Sequence, residues 1–195
     1  MAADYTHFIQ TQQARSEVCV RRASGHNGDL EFPPVSEGSP VSQSLIAALQ
    51  NPALYPHPVD GFQVIETHIS WVLLTGPFAY KVKKPVNFGF LDFTSLDARE
   101  HFCGEELRLN QRLTNDLYLE VLPITGSAEA PQWGGDGQVI EFALKMRQFP
   151  QSNLLSTLQA NGELTTAHID EMAAQIAQFH LAAPKVPAEH EAGTP

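Results

Sequence analysis

At 195 residues, 43% of them hydrophobic, the chain is long enough to bury the core of one globular domain. A formal net charge of −10 at pH 7 argues against a broad nucleic-acid or anionic-membrane surface. No apolar run reaches about eighteen residues and the first residues lack the apolar stretch of a secretory signal, so the expectation is a cytoplasmic product.

Residues 1–43 are rich in Ser, Gly, Gln and charge and are broken by Pro33-Pro34 and Gly38-Ser39-Pro40, which reads as a disordered or weakly ordered leader. Ser42 or Ser44 is placed to cap a short helix through Leu45, Ile46 and Leu49, ended by Asn51-Pro52. Tyr55-Pro56-His57-Pro58 then forces an extended, turn-rich stretch. Three β-like runs follow, over 62–66, 71–75 and 78–83, and Gly76-Pro77 joins the second and third as an antiparallel hairpin. In the third run Phe78, Tyr80 and Val82 alternate with Ala79, Lys81 and Lys83, so the two lysines share one face. Asn87 to Phe93 is an aromatic-rich connection. Thr94 to Asp97 resembles a capping box opening a helix to about Leu113, with Leu96, Cys103 and Leu107 on its apolar stripe beside Phe102, Leu109 and Leu113. A fourth strand over 117–124, a turn at Trp133 to Gly137 and a fifth strand over 138–146 complete the sheet. Ser152 caps a helix over 153–160 that stops at Asn161-Gly162, and Thr165 or Thr166 caps a last one with Ile169, Met172, Ala173, Ile176, Ala177 and His180 on one face. Five antiparallel strands with one inserted helix, followed by helices alone, make an α+β fold divided into a lobe over 44–147 and a second part over 148–195.

The chain has five lysines, and three of them, Lys81, Lys83 and Lys84, fall in one four-residue window. On frequency a cluster like this is a solvated strand end; the alternative is a local anion site. A lysine on the middle strand of a sheet needs an anion or a carboxylate, because a buried unpaired ammonium is costly. The following helix offers Glu105 and Glu106, and if it packs on the sheet one of them reaches Lys81. A strand lysine held by a helix glutamate is how phosphoryl-transfer enzymes position α- and β-phosphates. The Thr67-His68-Ile69-Ser70 loop is either a phosphate cover acting through its N–H groups and the Ser70 hydroxyl, or an ordinary Ser-stabilised turn. Lys145 to Pro150 is a strand running out into a linker, with backbone groups suited to the edge of a planar base or to nothing more than connection. His26-Asn27-Gly28-Asp29-Leu30 is a chance likeness to a catalytic loop, His168 and His180 lack the carboxylate neighbours of a metal site, and Asp92 and Asp97 are explained by helix capping. Cys19 and Cys103 show no paired framework and read as free thiols of a reducing compartment.

Taken together these residues resemble the aminoglycoside-phosphotransferase-like kinases. Phe78-Ala79-Tyr80-Lys81 is similar to the V-A-x-K of kinase third strands. Phe102-x-x-Glu105 with Leu109 is similar to the glutamate helix of aminoglycoside and fructosamine kinases, and 143–150 to their strand-and-hinge segment. A bacterial subgroup of these kinases, some members of which carry a further P-loop nucleotide-binding domain, matches the chain at Glu66 to Val72, Tyr80 to Phe93, His101 to Asn110 and Lys145 to Pro150. The resemblance covers 44–195.

The resemblance implies a protein-kinase-like N-lobe that binds ATP over 44–147, followed over 148–195 by the hinge and the first helices of a truncated helical C-lobe. Lys81 would hold the phosphates and Glu105 would pair with it. Ser70 would sit in the phosphate loop, Met146 would border the adenine, and the backbone of Arg147 and Phe149 would bond the base. The phosphate loop has no glycine, and the HGD-x-x-x-x-N catalytic loop and later metal-binding Asp of the family do not occur in these residues. The expectation is therefore an ATP-binding portion that is inactive alone, Mg²⁺ and an acceptor of unknown structure belonging to a longer parent. A non-catalytic nucleotide-binding or regulatory module is the alternative. The apolar stripe of the last helix is expected to drive self-association.

Overall fold

The computed structural model describes residues 40–114 and 116–185. These fall into two compact units that meet in sequence at Phe149 and Pro150. Of the expected leader, 1–39 lies outside the described residues, and Cys19 and the His26 stretch with it. Helix α1 (Pro40–Ala48) already takes in the last residues assigned to that leader, so Ser42 and Ser44 sit within it rather than ahead of it.

The first unit is built on a six-stranded antiparallel sheet of order β1-β2-β3-β6-β4-β5. Its strands are β1 (Gln63–Glu66), β2 (Ser70–Leu74), β3 (Phe78–Lys83), β4 (Tyr118–Gly126), β5 (Pro131–Trp133) and β6 (Val139–Arg147). Sequence patterning gave five; β5 is the addition. It has three residues and pairs Ile124 with Trp133 and Gly126 with Pro131. A strand so short shows no alternation, and its leading proline is tolerated because it lies at the sheet edge. The hairpin between β2 and β3 forms as expected: Gly76 adopts φ +96, the positive value that the first central position of a two-residue loop demands, and Thr75 N–H donates to Phe78 O.

One face of the sheet holds the core. Trp71, Leu73, Tyr80, Val82, Ile124 and Ala143 pack against Leu45 and Ile46 of α1, against Leu49 just beyond it and against Tyr55. Tyr55 follows a 3-10 turn (Pro52–Leu54) capped by the Asn51 side chain, and its ring meets those of Phe62, Tyr80 and Trp133. Its hydroxyl donates to Leu49 O at 2.8 Å, which ties α1 to this aromatic cluster.

Helix α2 (Leu96–Gln111) lies in the β3–β4 connection and packs on β4 and β6. Its N-cap is Ser95, whose Oγ accepts from Ala98 N–H, whereas Thr94 is engaged with Asp92. Its buried residues are Arg99, Cys103 and Asn110, so the docked stripe is largely polar, and Leu109 is exposed. Arg99 bonds Glu141 of β6 and the Phe93 and Thr94 carbonyls, and Gln111 Nε2 donates to Tyr118 O. Hydrogen bonds and ion pairs hold this helix to the sheet.

The second unit carries a 3-10 turn (Gln151–Asn153), α3 (Leu155–Ala160) and α4 (Thr166–Ala182). Ser152 lies in the 3-10 turn and does not cap α3, whose first turn has no side-chain cap. Thr165 caps α4 in a reciprocal box with His168, which accounts for that histidine. No residue of α4 is buried, and Ile169, Ile176 and Leu181 are exposed. None of the described helices is long and apolar enough to cross a membrane.

Candidate functional site

The alternation of β3 sends Lys81 and Lys83 to the side of the sheet opposite the core, where α2 meets them. Glu106 of α2 receives both: Lys81 Nζ donates to its Oε1 and Lys83 Nζ to its Oε2, each at 2.7 Å. All three side chains are largely enclosed, with 21% of Lys81, 5% of Lys83 and 16% of Glu106 exposed. Burial by itself would raise the Glu106 carboxyl; the two ammonium groups and their hydrogen bonds outweigh it and hold the group down at about 2. The Lys83 ammonium also lies 4.9 Å from the centroid of the Phe93 ring. Lys84, the third lysine of the window, goes elsewhere: it pairs with Glu66 and sits over Trp71. The window thus divides into a two-lysine cluster and one structural pair.

The expected Lys81–Glu105 pair does not form. Glu105 accepts from Arg108 Nε at 2.9 Å and from Arg108 Nη2 at 2.7 Å on the outer side of α2. Those bonds hold its carboxyl below the ordinary value. The physical reason is rotational phase. Consecutive helix residues differ by about 100°, so a helix docked through Arg99, Cys103 and Asn110 turns Glu106 inward and Glu105 away.

Ser70 stands opposite Lys83 in the β2–β3 register and is 1% exposed. Its Oγ meets Thr67 Oγ1 at 2.9 Å. The loop before it is closed on itself. Thr67 Oγ1 accepts from the N–H groups of Ile69 and Ser70, and Thr67 N–H donates to Ser70 O. Three of its four backbone N–H groups are therefore engaged within the turn, and the hydroxyl that closes it is that of Thr67.

Met146 is buried on β6, opposite Ala79 of β3 and Tyr118 of β4. Ala79 and Lys81 alternate to the same face, so Met146 lines the lysine side of the sheet. Arg147 N–H donates to Leu117 O and Gln148 N–H to Pro77 O, so both of these backbone donors are engaged. Phe149 is half-buried at the end of the unit.

Two residues that the sequence left unassigned belong to this region. Asn110, one turn beyond Glu106, donates to the Glu106 carbonyl, and its Oδ1 is buried without a partner. Tyr118 is buried, and enclosure together with the nearby Glu106 charge pushes its phenol up. Cys103, between the two ion-pair contacts of α2, is fully buried and its thiol is pushed up to about 11 by that burial, so it stays protonated. Among the described residues no group of three or more His, Cys, Asp or Glu side chains is arranged as metal ligands. A hollow of about 540 Å³ between α1 and the β4–β5 turn, lined by Ala47, Asn51, Leu54, Glu129 and Pro131, involves none of these groups.

No family model matches the chain, and no solved structure does. Two uncharacterized mycobacterial proteins are similar to it, Mb2027c of Mycobacterium bovis and Rv2004c of Mycobacterium tuberculosis. Each is 32% identical over 127 residues, which is 64% of this chain and 24% of the relative. The chain thus spans about a quarter of the length of the curated relatives it matches.

Proposed function

We propose that this chain is the ATP-binding portion of an aminoglycoside-phosphotransferase-like small-molecule kinase, its first unit forming a kinase-like N-lobe. One observation carries the reading: Lys81 on an inner strand is held at 2.7 Å by a glutamate of the helix that follows its strand. This is the lysine–glutamate arrangement that positions nucleotide phosphates in kinases. The glutamate role passes from Glu105 to Glu106. Ala79 and Met146, register partners beside Lys81, supply the apolar side of a purine site.

The residues fit the two ligand components unequally. A cluster of two ammonium groups and one carboxylate suits a phosphate, and Lys81 with Lys83 behind it would hold that group. The Thr67–Ser70 turn has spent the N–H groups of Thr67, Ile69 and Ser70, and the Arg147 N–H is engaged by Leu117 O. Magnesium lacks a carboxylate set among the described residues. Mg²⁺, the acceptor and phosphoryl transfer are accordingly assigned to the kinase as a whole, working in the cytoplasm. In such a kinase bound ATP supplies the transferable phosphoryl group, and these residues bind and orient it.

The test is thermal unfolding and titration calorimetry of the chain with ATP. At about a hundredfold excess over Kd, stabilisation of about 2.7 kcal/mol is expected, and Lys81→Ala should abolish it. No stabilisation of the folded wild-type chain would overturn the reading.

A further inference from the structure

We propose that Lys83 is a positioning residue that neutralises Glu106 from behind and so leaves the charge of Lys81 free for a polyphosphate. This rests on the nucleotide reading above and deepens it.

A lone lysine–glutamate pair sums to zero charge, and its carboxylate repels any anion that approaches the lysine. Here one carboxylate serves two ammonium groups, one at each oxygen, so the cluster carries a net charge of +1 (two positive, one negative). The two lysines differ in access. Lys83 is 5% exposed and enclosed by Glu106 and the Phe93 ring, whereas Lys81 is 21% exposed. The surplus charge therefore reaches solvent at Lys81, while Lys83 never touches the ligand. Within a partly desolvated cluster, a fixed charge a few ångströms behind the binding group is weakly screened and acts on every phosphate oxygen. The ligand class is a di- or triphosphate, whose several charges respond most to a change in net site charge.

The experiment titrates the full chain with inorganic tripolyphosphate and, separately, with ATP, in four forms. Wild type has cluster charge +1, Lys83→Met 0, Glu106→Gln +2, and the double variant Lys83→Met/Glu106→Gln +1. Lys83→Met is expected to bind both probes at least about tenfold more weakly, and the double variant to recover most of that loss. A purely structural role for Lys83 gives no such recovery, since the second substitution removes a further bond. Glu105→Gln, which changes charge outside the cluster, is the control and should shift affinity less than about twofold. If Lys83→Met does not fold, Glu106→Gln against the double variant asks the same question at a charge difference of one, with about tenfold again expected. Equal affinities in whichever comparison is made would overturn the role of Lys83. Wild type binding tripolyphosphate as tightly as ATP would instead overturn the nucleotide reading and leave Lys83 standing. Wild type binding neither probe removes both.

Discussion

Arg99 Nε donates to both carboxylate oxygens of Glu141 at 2.9 Å, with both side chains buried between α2 and β6. The same guanidinium donates through Nη1 to the carbonyls of Phe93 and Thr94, at the start of the helix. Burial raises the Glu141 carboxyl, and the hydrogen bond and charge of Arg99 and the Phe142 N–H only partly oppose it. Arg99→Met leaves a buried carboxylate and two carbonyls without their donor. A loss of about 3–5 kcal/mol is expected in urea unfolding, and Arg99→Met/Glu141→Leu should regain most of it. A single variant within about 1 kcal/mol of wild type would contradict this.

Glu105 and Glu106 give a sharper contrast. Glu106→Gln leaves the ammonium of Lys83 enclosed and uncompensated, at an expected cost of about 3 kcal/mol. Glu105→Gln removes only a bond to exposed Arg108, and no change in midpoint temperature is expected. Parallel melts of the two variants check this, and equal losses would refute the assignment.

That contrast also marks how far the sequence could be read. The strands of β1, β2, β3, β4 and β6 and the Gly76-Pro77 hairpin were legible because a period of two and a glycine–proline turn are local signals. The three-residue β5 has no period to display. The phase of α2 was obscured because the face it turns to the sheet is Arg99, Cys103, Glu106 and Asn110, spaced i, i+4, i+7 and i+11, and a search for leucines passes over it. A signal was present nonetheless: from a buried Cys103, Glu106 lies three residues on along the same face, and Glu105 about 200° away. The likeness of Phe102-x-x-Glu105 to a kinase helix pointed to the wrong member of the pair. The closure of the Thr67–Ser70 turn combines a backbone bond with those to the Thr67 hydroxyl, and both alternatives for this loop were compatible with its residues.

In the second unit, α4 depends on its first turn. Thr165 Oγ1 accepts from His168 N–H while His168 Nδ1 accepts from Thr165 N–H at 3.1 Å. With no buried residue to anchor the helix, capping has a large share in it. Thr165→Ala should cost about 1 kcal/mol locally, seen as faster amide exchange over 166–170 with the sheet unaffected. Unchanged exchange there would show that the cap is dispensable.

Acid should loosen the α2–sheet contact in a defined window. The Glu106 carboxyl is lowered from 4.5 to about 2 in the folded chain, because the pull of Lys81 and Lys83 exceeds the cost of burial. A depressed folded value means the contribution is complete above 4.5 and disappears as pH falls towards 2. At about 1.4 kcal/mol per unit this one group supplies roughly 3 kcal/mol of pH-dependent stability. Glu141 works in the opposite sense: its raised carboxyl favours the protonated form, so its contribution declines as pH rises through its folded value and blunts the total slope. Urea midpoints measured from pH 6 down to pH 2.5 should therefore fall steeply in wild type and less in Glu106→Gln. In Glu141→Gln, where the opposing group is gone, the fall should be steeper than in wild type. Superimposable acid limbs for wild type and Glu106→Gln would mean that the two lysines do not hold this carboxylate in solution.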